Sequence, residues 1–139
     1  MAIEILPSDA IEEALKANRR QYLLGDLKKP QDLSEIFDKN AEAGISKYEL
    51  NTTDAPHFHT VSTEYQYVLS GMAEYRDLDS NQVYRVSQGD FFIIRPYTKY
   101  YQKSSAGTKI LFFKVPAGND KVETSLTAEQ RSWGEDYEF

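Results

Sequence analysis

From Ile45 to Val115 the chain reads as a run of short strands with no helical stretch among them, and this confines it to a β-sandwich or a barrel. Alternation places the strands at Ile45–Leu50, Thr60–Ser70, Met72–Leu78, Gln82–Val86, Phe91–Ile94, Tyr100–Lys103 and Ile110–Val115. Turn-forming clusters separate several of them: Asp79-Ser80-Asn81, Gln88-Gly89-Asp90, and Ser104 to Gly107. The 10 Tyr and 7 Phe suit half-buried pleated surfaces and lean the same way. A chain of 139 residues is the size of one domain and can bury a core without disulfides.

The residues before this run have a different period. Over residues 9–24, Ile11, Ala14, Leu15 and Tyr22 share one helical face behind an Asp9-x-x-Glu12 start signal, and Gly25 is a stop. After Pro30, Asp32 and Glu35 repeat the signal for a short helix carrying Leu33, Ile36 and Phe37, ended by Gly44. The expected organisation is a single domain over 1–139: a helical N-terminal segment at 1–44, a barrel at 45–116, and a polar C-terminal tail at 117–139. Thr127-x-x-Gln130 predicts one helical turn in that tail, and Trp133 is expected to pin it to the barrel.

Composition removes several classes of function. With no cysteine, disulfides and thiolate metal sites are excluded, and a reducing compartment is the simpler expectation. The opening stretch lacks an apolar core of signal-peptide length, and no run is long enough to cross a bilayer. The expectation is a soluble cytoplasmic protein with no membrane partner. A formal net charge of -6 argues against a nucleic-acid binder. The charge is uneven, however. Between Arg85 and Lys121 seven basic residues face two acidic ones, which suits either a solvated strand face or a positive rim for an anionic small molecule.

The chemistry-bearing segment is PHFHTVSTEYQYVLSG. Residues two apart on a strand point to one side, so His57 and His59 present two imidazoles together. Glu64 follows after a gap that allows a bend, and its carboxylate can reach the same point. Two imidazoles and a carboxylate with positions left open suit one divalent ion of Fe, Mn, Ni, Co or Zn. A histidine pair on a strand is often only a surface feature. These are the only two histidines in the chain, though, and placed at random they would fall two apart only about once in seventy sequences.

These residues resemble the first motif of the cupin superfamily: Gly, five residues, His-x-His, three or four residues, Glu, six residues, Gly. Here Asn51 stands at the first glycine, followed by His57, His59, Glu64 and Gly71 at matching spacing. The second motif is matched by Gly89-Asp90, the strand FFII and Pro96; Arg95 and Tyr97 replace its other proline and its glycine. Tyr100 stands where the family places a fourth metal-binding histidine, and Ser104 replaces a distal asparagine. The resemblance spans about residues 45–116. It implies an all-β fold, a double-stranded β-helix or jelly-roll barrel, with a metal inside its mouth, and it places this chain among small RmlC-like cupins.

Tyr100 leaves three readings open: a phenolate ligand, a group that hydrogen-bonds substrate or bound water beside a three-ligand site, or a mark of a site that no longer holds metal. Parity adds that Gln66 and Val68 point inward with Glu64, and Gln102 with Tyr100, so Gln66, Gln102 and Tyr100 are candidate substrate-pocket residues. Gln66 and Gln102 could equally brace the metal ligands. Tyr65, Tyr67 and Leu69 then face outward, towards a helix or a partner, and a homodimer is the expected assembly. The leading functional expectation is a metal-dependent enzyme on a small polar molecule, sugar-like or carboxylated. It would work by isomerase, epimerase or lyase chemistry, with Tyr100 or Glu64 moving a proton. The alternatives are a non-catalytic cupin that binds a small molecule and an iron-dependent dioxygenase.

Overall fold

The computed structural model describes residues 2–118 and 120–139. Helix α1 (Ser8–Ala17) leads into strands β1 (Arg20–Gly25), β2 (Ile36–Phe37) and β3 (Glu42–Tyr48). The short β4 (Thr52–Thr53) and β5 (His57–His59) precede β6 (Thr63–Ser70), β7 (Met72–Asp77), β8 (Val83–Ser87) and β9 (Phe91–Ile94). The chain closes with β10 (Tyr100–Ser104), β11 (Thr108–Val115), β12 (Lys121–Glu123) and helix α2 (Ala128–Glu135).

Two sheets face one another. One has the order β2-β1-β3-β11-β6-β9 and the other β12-β5-β10-β7-β8, with β4 beside β10. The pairings are antiparallel except β1 with β2. Consecutive strands β6 and β7 lie in opposite sheets, and Gly71 makes the corner between them. Its φ is 79°, and a Cβ there would sit 2.5 Å from Thr108 Cα. Alternate residues fill the interior: Tyr48, Val68, Ala73, Tyr75, Val86, Tyr100 and Ile110 form one buried cluster, with Phe92 and Ile94 against it. The fold is thus the expected all-β jelly roll.

The N-terminal segment departs from its helical reading. The helix expected over 9–24 stops at Ala17, and Arg20–Gly25 extends as a strand against β3. A strand there completes the backbone hydrogen bonding of β3, which outweighs a local helical preference. Tyr22 accordingly points at Phe112, with ring centroids 5.5 Å apart, and not along a helix. The second expected helix does not form. Asp32 accepts a hydrogen bond from Gln21 Nε2, and Leu33 N–H donates to Gln21 Oε1, so both are tied to the outer side of β1. Gly44 lies inside β3, where a Cβ would meet Phe112 Cζ at 2.5 Å; it permits a close approach and ends nothing.

The tail is ordered against the second sheet. Thr127 and Gln130 form a reciprocal capping box, and α2 runs for two turns where one was expected. Trp133 packs on Tyr101 at 5.8 Å, and the Lys103 ammonium lies 4.3 Å from its ring centre. Within the same tail, β12 pairs with β5, which the polar composition did not signal.

Candidate metal centre

Strand register brings the first-motif residues together. His57 and His59 sit on β5 with Phe58 between them turned the other way, and both imidazoles are buried. Tyr100 on β10 lies directly opposite His57, and Glu64 comes from β6 of the facing sheet. A ligand atom from each of His57, His59 and Glu64 lies within 4.8 Å of the other two.

The two imidazoles are held by their far nitrogens. His57 Nδ1 is 2.8 Å from the carbonyl of Ala55, and His59 Nδ1 is 2.9 Å from Asp120 Oδ1. Both partners only accept, so each Nδ1 carries the proton and each Nε2 presents a lone pair to the interior. Burial lowers the His57 pKa to about 4, which keeps the ring neutral and ready to ligate. Asp120 is itself fixed: its Oδ2 accepts the backbone N–H groups of Val61 and Ser62 at 2.8 and 2.7 Å. Burial works to raise the Asp120 pKa, but those amides and His59 outweigh it and hold the carboxyl well below its ordinary value.

Tyr100 Oη lies 3.0 Å from His57 Nε2 and 3.0 Å from Glu64 Oε2. Burial first, and then the Glu64 charge, push its pKa well above the ordinary phenol value, so it carries its proton. One hydroxyl proton thus faces two acceptors and can satisfy only one. The surplus lone pairs of His57, Glu64 and His59 are what a cation would meet, and the donor set fits a divalent metal.

Over residues 44–111 the sequence matches the cupin domain family. The chain belongs to the cupin superfamily. No curated protein sequence matches it. Among solved structures, it is similar to an uncharacterized conserved protein with a double-stranded β-helix domain from Klebsiella pneumoniae. That pair shares 17% identity over 64% of this chain and 78% of the other, with a TM-score of 0.56. It is also similar to Streptomyces Pac13 with uridine, described as a nucleoside dehydratase, at 19% identity over 66% of this chain and 74% of that one (TM-score 0.55). KdgF from Halomonas sp. matches at 19% identity over 60% and 74% of the two chains, with a TM-score of 0.51.

The remaining residues of this cupin's pocket follow the same registers. Gln66 and Gln102 are buried and line the cavity with Tyr100, as strand parity predicts. Gln66 Oε1 accepts from Tyr75 Oη at 2.6 Å, and Gln102 Nε2 donates to Ser104 Oγ at 3.0 Å. The inner cavity is small, about 60 Å³. Arg20, Tyr22, Ser46, Tyr48 and Asp54 also line it, and none was read as a pocket residue from the sequence. The misread helix hid Arg20 and Tyr22. Lys114 lies on an inward row, directly between Glu42 and Glu64, and its Nζ is 3.0 Å from both Glu42 Oε2 and Tyr22 Oη. Of the seven basic residues between Arg85 and Lys121, Lys114 and Lys121 line this cavity. Arg85 pairs with Glu74, and Lys103 is buried beneath α2. No helix among the described residues is long and apolar enough to cross a membrane.

Proposed function

We propose that this cupin is a metal-dependent enzyme that acts on a small polar molecule by isomerase, epimerase or lyase chemistry, as a homodimer. The observation that carries the reading is the set of inward lone pairs on His57, His59 and Glu64, two of which, on His57 and Glu64, face a single hydroxyl proton from Tyr100. His57, His59 and Glu64 would hold one divalent ion, which when bound supplies Lewis-acid polarisation of a carbonyl or hydroxyl. Glu64 and Tyr100 form the proton-moving pair. The phenol donates to the carboxylate, and that link lets the two exchange roles as acid and base on a substrate seated against them. Gln66 and Gln102 offer amide groups deeper in the pocket, suited to hydroxyl or carboxylate groups. Pac13, of similar fold, is described as a nucleoside dehydratase, so a barrel of this kind can house an elimination.

Elemental analysis of protein purified without an affinity tag tests the reading. About one divalent ion per chain is expected. His57→Ala and His59→Ala should each lose most of it while keeping the strand signature in circular dichroism, because the barrel core is built from other residues. Wild-type protein that carries no metal and takes none up on titration refutes the proposal.

A further inference from the structure

Outside the metal centre the barrel mouth widens into a vestibule of about 670 Å³, a volume suited to a small molecule. It opens onto His59 and shares Arg20, Tyr22, Lys114 and Lys121 with the inner cavity. Six cationic side chains line it: Arg19, Arg20, Lys28, Lys29, Lys114 and Lys121. Among the described residues, the only carboxylate on its wall is Glu42. Two more reach these cations from beside it: Asp54 pairs with Arg19 and Arg20, and Asp26 with Lys28 at 3.6 Å. Lys114 is matched by Glu42. Among the described residues, no carboxylate lies within 4.0 Å of the Lys29 or Lys121 ammonium.

The surplus is local. The chain as a whole carries -6, so this concave positive surface reverses the sign of the molecule around it. Register fixes where it points. Lys121 lies directly opposite His59 in the β12–β5 pair, so both side chains rise on the same face of the sheet.

We infer that the substrate is an anion whose carboxylate or phosphate group docks in this vestibule on Lys121, Arg20 and the Lys28–Lys29 turn, with its polar body reaching past His59 into the barrel. This names the substrate class of the site proposed above and rests on that reading. The metal centre does the chemistry at one end; the cations select and orient the molecule at the other.

Calorimetric titration of the intact protein at low ionic strength tests the inference, with inorganic phosphate, succinate and glycerol 3-phosphate as probes and glycerol as the uncharged match. The anions are expected to bind, more weakly as salt rises, and glycerol is not. Lys121→Glu should weaken phosphate binding about tenfold or more, the scale of one lost charge-assisted contact. Lys28→Ala/Lys29→Ala should weaken it several-fold, and Lys16→Ala, on the exposed side of α1, should match wild type. Phosphate could instead sit on the metal. His57→Ala separates the two, because a vestibule site keeps its phosphate affinity when the metal is lost. Wild-type protein that carries no metal and takes none up on titration, yet still binds phosphate through Lys121, supports the anion site and refutes the enzyme reading. Equal binding of glycerol and glycerol 3-phosphate, or wild-type phosphate affinity in Lys121→Glu, overturns the inference.

Discussion

At the scale of single residues, Tyr100 sets this site apart from the usual cupin pattern. Its hydroxyl stands within 3.0 Å of two of the three donors, closer than a remote pocket wall would come. A protonated phenol is a poor ligand for a divalent ion, so the geometry favours a proton donor poised beside the donor set over a fourth ligand. Tyr100→Phe is therefore expected to keep near-normal metal content and to slow turnover about 10²–10⁴-fold, the usual cost of losing one proton-moving group. Tyr100→His adds a third imidazole beside His57, His59 and Glu64, restores a four-ligand shell and should tighten metal binding. Metal content and the visible spectrum of both variants check this. Metal loss in Tyr100→Phe, or a ferric charge-transfer colour that vanishes with it, would make tyrosine a direct ligand.

At the scale of elements, β12 couples the tail to the chemistry. It hydrogen-bonds along β5, and Asp120 at its start holds His59 in one tautomer while accepting two amides from the turn after it. Outer-sphere partners of this kind typically carry 10–100-fold in metal affinity. Asp120→Ala should lower affinity by about that much in a competition titration with a chelator, with the barrel still folded; unchanged affinity would reduce Asp120 to a structural tether. Nothing in the sequence pointed to Asp120, because its role depends on a contact across 61 residues. What could be read was local. Period-two parity set the inward faces of Glu64, Gln66 and Val68 and of Tyr100 and Gln102, and motif spacing joined the histidines to Glu64. The segment at 20–25 was misread because its helical periodicity is real but short, and pairing with β3 decides such a stretch only in three dimensions. Arg20, Tyr22 and the N-terminal wall of the basic vestibule were lost with it, while Lys114 and Lys121 fall in the stretch read as a solvated face or a positive rim.

At the scale of the whole molecule, one face has no cover. Helix α1 and Leu33 lie over the outer side of β1 and β3, through Ala14, Leu15 and the Gln21 bonds, and α2 covers the outer side of β10. Across β11, β6 and β9 two outward rows run in register, Phe113–Tyr65–Ile93 and Leu111–Tyr67–Phe91. Phe91 is 64% exposed, and Tyr67, Leu69, Phe113 and Val115 are exposed beside it. The two rows carry no charged side chain, the composition that marks the centre of a subunit interface more than a solvated sheet. The outward Tyr65, Tyr67 and Leu69 were expected to meet a helix or a partner, and among the described residues Tyr67 and Leu69 are exposed with no helix over them. A sheet face of this kind can pair with a second copy of itself about a two-fold axis. Light scattering at micromolar concentration should therefore give twice the 16.0 kDa chain mass. Tyr67→Asp with Phe91→Asp, both side chains outward and away from the pocket, should give a monomer that keeps its metal. A monomeric wild type would leave this apolar face to solvent and overturn the dimer. A variant that lost its metal along with its partner would mean that pairing braces β6, and through it Glu64, from the outer side of the sheet.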